Sequence, residues 1–241
     1  LDANYPLGIL TEKHIDDKTD AIINDIEEAF VELLSNQGMQ EGKNYLSLHI
    51  AKKLTKDFLK VEKQLIQNAN KVNQQIKVIS KEEVLSHQLI VDGIDFKLSG
   101  KADRVDFEGD TLRIIDYKTG NVEENEVTFS EFDELIDNPK KSKAFQLMMY
   151  AYMYLKMNPN QIGLDVVAGN FSFKNLKSGL IRVSKKISSN KREILNIDRN
   201  VLDEFEAQLE IILTNISNNN FEQTTDVKNC EWCDYKPICK R

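Results

Sequence analysis

Three side chains near the middle of the chain, Asp103, Asp116 and Lys118, have the types and spacing that phosphodiester hydrolysis requires. They lie in one segment running from Gly100 to Gly120, where Gly109-Asp110 separates two β-rich runs and has the composition of a two-residue hairpin loop. If Glu108 faces Thr111, counting back along both strands sets Asp103 opposite Asp116 and Asp106 opposite Arg113. The second pair is favourable. The first is not, because directly opposed side chains have Cβ atoms roughly 4.5–5.5 Å apart, and two carboxylates repel there unless a cation lies between them. Lys118 is two residues beyond Asp116, so strand alternation puts it on the same face. Hard oxygen ligands suit Mg²⁺ or Mn²⁺. Such a metal polarises a phosphoryl oxygen and lowers the pKa of an attacking water, and a lysine beside it orients that water or stabilises the developing negative charge. The competing reading is an exposed hairpin whose charges are merely solvated. An Asp-x-Lys spacing alone is common, and it is the register that favours chemistry.

The elements that must position these residues follow from hydrophobic periodicity. Apolar residues at helical spacing predict helices over 16–34, interrupted at Gly38 and Gly42, and over 45–69. Short β-rich runs follow at 76–79, 83–91, 94–98, 98–107 and 111–118, with a turn at Asp92-Gly93. After a polar loop the pattern predicts a helix over 141–156, stopped by Asn158-Pro159, strands at 164–173 and 180–185, and an amphipathic helix over 201–216. Helices, then mostly antiparallel strands, then helices imply an α/β fold with a mixed, largely antiparallel central sheet flanked by helices. The expected division is an N-terminal helical region over 1–75, a core over 76–218 and a cysteine-bearing tail over 219–241.

The bulk properties narrow the class. The 241 residues suffice for one large domain, and 41% hydrophobic with 29% charged residues is an ordinary globular profile. A formal net charge of −7 argues against non-specific coating of nucleic acid, though not against local basic clusters. No apolar run approaches the roughly 18 residues of a membrane span, and no signal peptide is visible. The chain begins at Leu1 rather than Met, which reads as a piece of a longer protein. Its three cysteines, Cys230, Cys233 and Cys239, cluster at one end, as metal or cluster ligands in a reducing cytoplasm would.

The strings Gly-x-x-Asp-Arg-x-Asp (Gly100 to Asp106) and Asp-Tyr-Lys-Thr-Gly (Asp116 to Gly120) resemble the core of the RecB-family branch of the PD-(D/E)XK nucleases, including the thirteen-residue step from Asp103 to Asp116. The resemblance implies a restriction-endonuclease-like fold in which Asp103, Asp116 and the Tyr117 backbone carbonyl bind metal and Lys118 is the catalytic lysine. It also implies a downstream Gln-x-x-x-Tyr helix, supplied by Gln146 and Tyr150, which share one helical face and border the metal site and the DNA. In isolation those two residues, with Met148, Met149, Tyr152 and Tyr154, read equally well as core. Family members carry a further glutamate on the preceding strand, for which Glu82 is preferred over Glu83. They also carry a metal-site histidine on an N-terminal helix. His49 does not match that motif, nor do His14 and His87, which places the histidine upstream of Leu1.

Cys230-x₂-Cys233-x₅-Cys239 is a spacing used by zinc and by iron–sulfur sites, and no fourth Cys or His lies nearby. It resembles the C-terminal part of the iron–sulfur staple of AddB-type nucleases, whose first cysteine lies far upstream. That implies a [4Fe–4S] cluster in an intact protein and an incomplete one in this chain, where three reduced thiols are the alternative. Taken together the resemblance implies a Mg²⁺-dependent DNA exonuclease domain of an AddB-like helicase–nuclease. It would act in double-strand-break repair on single-stranded ends beside a helicase–nuclease partner subunit, with Lys101 and Lys143 reaching phosphates. The alternatives are a non-catalytic nuclease-fold module that binds DNA, and a free-standing nuclease of the CRISPR-adaptation type.

Overall fold

A computed structural model of the protein describes residues 4–34, 41–189, 191–218, 223–224, 227–231 and 233–239. Two long helices come first, α1 (Glu12–Leu34) and α2 (Gly42–Lys71), after a short strand β1 (Gly8–Ile9). Both helices are amphipathic: Ile15, Ile22 and Ile23 of α1 and Phe58, Leu59 and Ile66 of α2 are buried, while their opposite faces carry charges such as the Lys63–Asp16 pair. Three antiparallel strands follow, β2 (Ile76–Val91), β3 (Ile94–Glu108) and β4 (Thr111–Lys118). Beyond them the chain forms β5 (Thr128–Phe129), the short helix α3 (Glu134–Asp137), α4 (Ser142–Met157), β6 (Asp165–Ser172), β7 (Leu180–Arg182), β8 (Ser184–Ser188), β9 (Lys191–Ile194), α5 (Arg199–Ser217) and a terminal turn of helix, α6 (Lys236–Cys239).

The main sheet has the order β1-β2-β3-β4-β6-β7, in which only the β4–β6 pair is parallel, and a small second sheet has the order β5-β8-β9. One face of the main sheet packs on α1 and α2 through Ile76, Val78, Ile115 and Phe171, and the other packs on α4 and α5 through Leu85, Val105, Leu112 and Ile114. This is the mixed, largely antiparallel α/β architecture that the order of elements implied, consistent with the restriction-endonuclease-like fold that the resemblance implied. No described helix is long and apolar enough to cross a membrane.

Several boundaries differ from those expected. The runs at 76–79 and 83–91 form one strand, as do those at 94–98 and 98–107. Polar residues such as Lys81 and Glu82 interrupt the alternation without ending the ladder, which has a bulge between Val78 and Ser80, skips Glu82 and resumes at Glu83↔Ala102. The run at 180–185 splits instead. β7 stays in the main sheet while Ser184 starts β8, its amide reaching Val127 O at 3.1 Å. The stop after α4 is as expected, with Asn158 at the C-cap and its side-chain amide on Tyr154 O at 2.9 Å. Asp198 caps α5 by accepting the Val201 amide at 2.9 Å. Gly109, at φ 61°, begins the two-residue β3–β4 loop, where a first position with positive φ matches a type II′ hairpin turn. A Cβ there would also lie 2.8 Å from the Gln74 side chain.

Candidate active site

The β3–β4 register is the one the turn composition predicts, from Glu108↔Thr111 through Asp106↔Arg113 to Arg104↔Ile115. The ladder ends there, one position short of Asp103 and Asp116. Asp103 itself takes over, its Oδ2 accepting the backbone amide of Tyr117 at 2.6 Å. A side-chain acceptor thus replaces a strand carbonyl, which frees the two strands to part at the level of the two carboxylates.

β3 also rotates at this point. Ala102 lies in the core under α4, yet Arg104, two residues on, reaches Tyr5 and Glu62 in the opposite layer. Regular alternation would put both on one face. The inversion falls at Asp103, and across from it, between the pairs Lys81↔Arg104 and Glu83↔Ala102, Glu82 has a φ of 52°. A non-glycine residue in that region is uncommon and costs energy that the surrounding pairing must hold.

Asp116 is 5% exposed. Its Oδ2 accepts the Asn170 side-chain amide at 2.8 Å and lies 2.9 Å from Lys118 Nζ. Burial raises its pKa above the usual aspartate value and nearby Asp103 adds to that, while the Lys118 ammonium and the Asn170 amide work against it. Lys118 Nζ donates in turn to Gln146 Oε1 at 2.7 Å, and Gln146 Nε2 donates to the Tyr150 hydroxyl at 2.7 Å. A continuous polar chain therefore runs from Asp116 on the sheet to Tyr150 on α4. Gln146 and Tyr150 are partly exposed, whereas Met148, Tyr152 and Tyr154 are buried, so α4 supplies both core and site border. Gly100 has a packing reason for its identity: a Cβ there would come within 2.9 Å of Met153 Cε and 3.1 Å of Tyr150 Cε1. Its bare backbone lets α4 settle against β3 beside the carboxylates.

Behind the site, on the α2 side, lies a buried network. Arg104 NH1 donates to Glu62 Oε2 at 2.8 Å, Tyr5 Oη at 2.6 Å and Tyr117 Oη at 3.2 Å. Arg104 also pairs with Asp106, which binds Arg113 through two bonds of 2.6 and 2.8 Å. Arg104, Glu62 and Asp106 are fully buried, which is unusual for charged side chains and holds only because they are paired. Tyr117 is consequently held from both sides, by its amide to Asp103 and by its ring in a cluster with Phe58, Phe171 and Phe173.

Other candidate residues are placed elsewhere. Glu82 forms an ion pair with Lys101, whose ammonium holds it below the usual glutamate range. Glu83 sits in the β2–β3 ladder opposite Ala102. Lys143 pairs with Glu126, so both lysines expected at phosphates already face carboxylates. His49 is exposed and stacks near Tyr45, His14 is exposed on α1, and His87 packs edge-on against Tyr152. Cys230 is buried, Cys233 exposed and Cys239 between the two. Among the described residues no three His, Cys, Asp or Glu side chains gather as a metal site, the three cysteines included.

The carboxylate site does fit a hard divalent cation. Mg²⁺ keeps several waters and is commonly held by one or two carboxylates together with substrate phosphates. Asp103 and Asp116, each one position beyond the last ladder pair on its strand, supply that donor set, and a cation there offsets the cost of a buried Asp116 charge.

Sequence reasoning missed Asn170, Glu62 and Tyr5, and it quoted Arg104 without giving it a role. Asn170 carried a signal, because it stands alone among apolar residues in the run Val166-Val-Ala-Gly-Asn-Phe, and a polar residue there demands a partner.

Among curated proteins none matches the chain significantly. A solved crystal structure of SSO0001 shares 13% identity at a TM-score of 0.33, covering 76% of this chain, and the chain spans 66% of that structure's length. A family profile described as the PD-(D/E)XK nuclease superfamily matches residues 10–240. With that match over nearly its whole length, the chain belongs to the PD-(D/E)XK nuclease superfamily.

Proposed function

We propose that the protein is a divalent-metal-dependent deoxyribonuclease domain whose reacting centre is Asp103, Asp116 and Lys118. The observation that carries this is the buried Asp116 carboxylate, contacted by the Lys118 ammonium at 2.9 Å and, like Asp103, standing one position beyond the last β3–β4 ladder pair. Asp103, Asp116 and the Tyr117 carbonyl would hold Mg²⁺ or Mn²⁺, which when bound polarises the scissile phosphate and acidifies water. Lys118 stands where it can hydrogen-bond the attacking water or the developing phosphorane charge. Gln146 accepts a second hydrogen bond from the lysine's ammonium and so fixes its direction beside Asp116. Asn170 orients the Asp116 carboxylate and supports its ionised form.

The finer reading is an exonuclease domain of an AddB-like helicase–nuclease acting on single-stranded ends in double-strand-break repair in the cytoplasm, beside a helicase–nuclease partner. Its support is the pair of motifs around Asp103 and Asp116 together with the Gln146–Tyr150 helix. The C-x₂-C-x₅-C array supports an iron–sulfur cluster in the same assembly, its thiols gathered only once the cluster and a fourth ligand are present. Colour and iron content after anaerobic purification test that: colourless, iron-free protein would remove the cluster. For the nuclease, cleavage of end-labelled DNA should require Mg²⁺ or Mn²⁺ and vanish in Asp116→Ala and Lys118→Ala. Full activity in either variant would sink the assignment.

A further inference from the structure

The chain is acidic overall, yet its lysines are not evenly spread. A groove of about 990 Å³ runs between α2 and the segment that follows β6, and four lysines, Lys53, Lys60, Lys174 and Lys177, line it against one acid, Asp57. Lys53 and Lys60 share Asp57 at 2.7 and 3.2 Å, and both are about three-quarters exposed. Lys174 and Lys177 are exposed and make no ion pair among the described residues. The site lysines nearer α4 differ, since Lys101 and Lys143 are already paired with carboxylates.

The groove lies on the α2 side of the sheet, opposite to Gln146, and is tied to the reacting centre through the backbone. Lys118 and Ser172 are register partners, and the next amide, that of Phe173, donates to Lys118 O at 2.9 Å. The segment bearing Lys174 and Lys177 therefore leaves the sheet at the level of the catalytic lysine. Phe173 is partly exposed and forms part of the groove wall, with its ring against Phe58 and Tyr117. A positive groove with an aromatic wall is the arrangement that proteins use to hold single-stranded nucleic acid by its phosphates and a base face.

We infer that the α2–β6 groove is a single-stranded nucleic-acid track, with Lys174 and Lys177 on the phosphates, leading strand to or from the centre at Asp116 and Lys118. The inference rests on the nucleic-acid substrate proposed above. It needs no base-specific contact, so affinity is governed by phosphate neutralisation and falls steeply with salt.

The test is fluorescence anisotropy of a labelled oligothymidylate with the whole chain across a salt series, without divalent metal so that nothing is cleaved. Each phosphate contact contributes about 0.7 to the slope of log K against log salt on single strands. Lys174→Ala with Lys177→Ala should therefore reduce the slope by about 1.4, while Lys13→Ala with Lys18→Ala, removing equal charge from α1, should leave it unchanged. An equal slope change in both pairs, an unchanged slope in the groove pair, or no binding by the parent chain at low salt each overturns the track. An unchanged slope would assign the groove to an acidic protein segment instead. Asp116→Ala separates the two readings, because it should abolish cleavage in metal yet keep the parent salt slope.

Discussion

Asp103 and Tyr117 are joined by a hydrogen bond from the Tyr117 amide to Asp103 Oδ2 at 2.6 Å, made at the point where the β3–β4 ladder stops. One carboxylate oxygen thus does backbone work, and the other is left for a cation. Asp103→Asn separates these jobs, since an amide oxygen can still accept the Tyr117 amide but carries no charge. Unfolding by urea should shift little, while metal-dependent cleavage falls on the order of 100-fold or more, in the range of losing one electrostatic group at a reacting centre. A variant that unfolds readily and cleaves normally when folded would show that Asp103 is structural only.

Gln146 stands between Lys118 and Tyr150, accepting from one and donating to the other. Gln146→Leu removes both bonds at nearly constant volume and leaves Lys118 with Asp116 as its remaining partner. The expected result is about a tenfold loss of turnover, below the roughly 10²–10⁴-fold of a group that itself transfers the proton, with Tyr150→Phe closer to the parent. Equal losses in kcat and unfolding free energy would instead mean that the glutamine merely packs.

Arg104 is the hub of the buried network, contacting Glu62, Tyr5, Tyr117 and Asp106. Arg104→Met leaves the buried Glu62 carboxylate without its cation, while Asp106 keeps Arg113, and should cost roughly 3–5 kcal/mol in chemical denaturation. Adding Glu62→Gln removes that stranded charge and should recover part of that loss, a coupling that a double-mutant cycle reads directly. Additive losses would show that the two residues do not share a network.

The same network sets an acid limit on stability. Burial alone would raise the Asp106 pKa, but the Arg104 and Arg113 guanidiniums outweigh it and hold it below the ordinary aspartate value. The folded state therefore binds this proton less readily than the unfolded chain, whose aspartates titrate near about 3.9. The stabilisation is complete above that pH and is lost as pH falls through the lower folded value. Asp106→Asn should be destabilised relative to the parent by a constant amount above about pH 5, with the gap narrowing below about pH 4. Denaturation series at each pH measure it, and a gap that widens on acidification would contradict the sign.

Much of this was legible before any coordinates. The Gly109-Asp110 turn and strand alternation together placed Asp106 across from Arg113, because hairpin register is a local property set by loop length, whereas the ladder stops one position before the expected Asp103–Asp116 pair. The helix end at Asn158 was likewise local, whereas the Asp198 cap, ahead of the expected start at 201, was not read. The continuity of β2 and β3 was not, since pairing with a partner strand overrides a polar interruption. Nor was the end of the run at 180–185, where Ser184 leaves for the small sheet through a bond to Val127 O.

What the sequence determined by itself was the candidate set and its order: two carboxylates, a lysine two residues on, and a Gln-x-x-x-Tyr helix to border them. What only the tertiary structure decided was how each is held. The parallel β4–β6 pairing carries α4 over the sheet so that Gln146 meets Lys118 and brings Asn170 beside Asp116. The rotation at Asp103 turns Arg104 to the far layer, where Tyr5 and Glu62, distant in sequence, complete its bonds. Chain-local spacing can specify register, but burial and charge partnership depend on which distant segments close around a residue, and that is settled only when the layers pack.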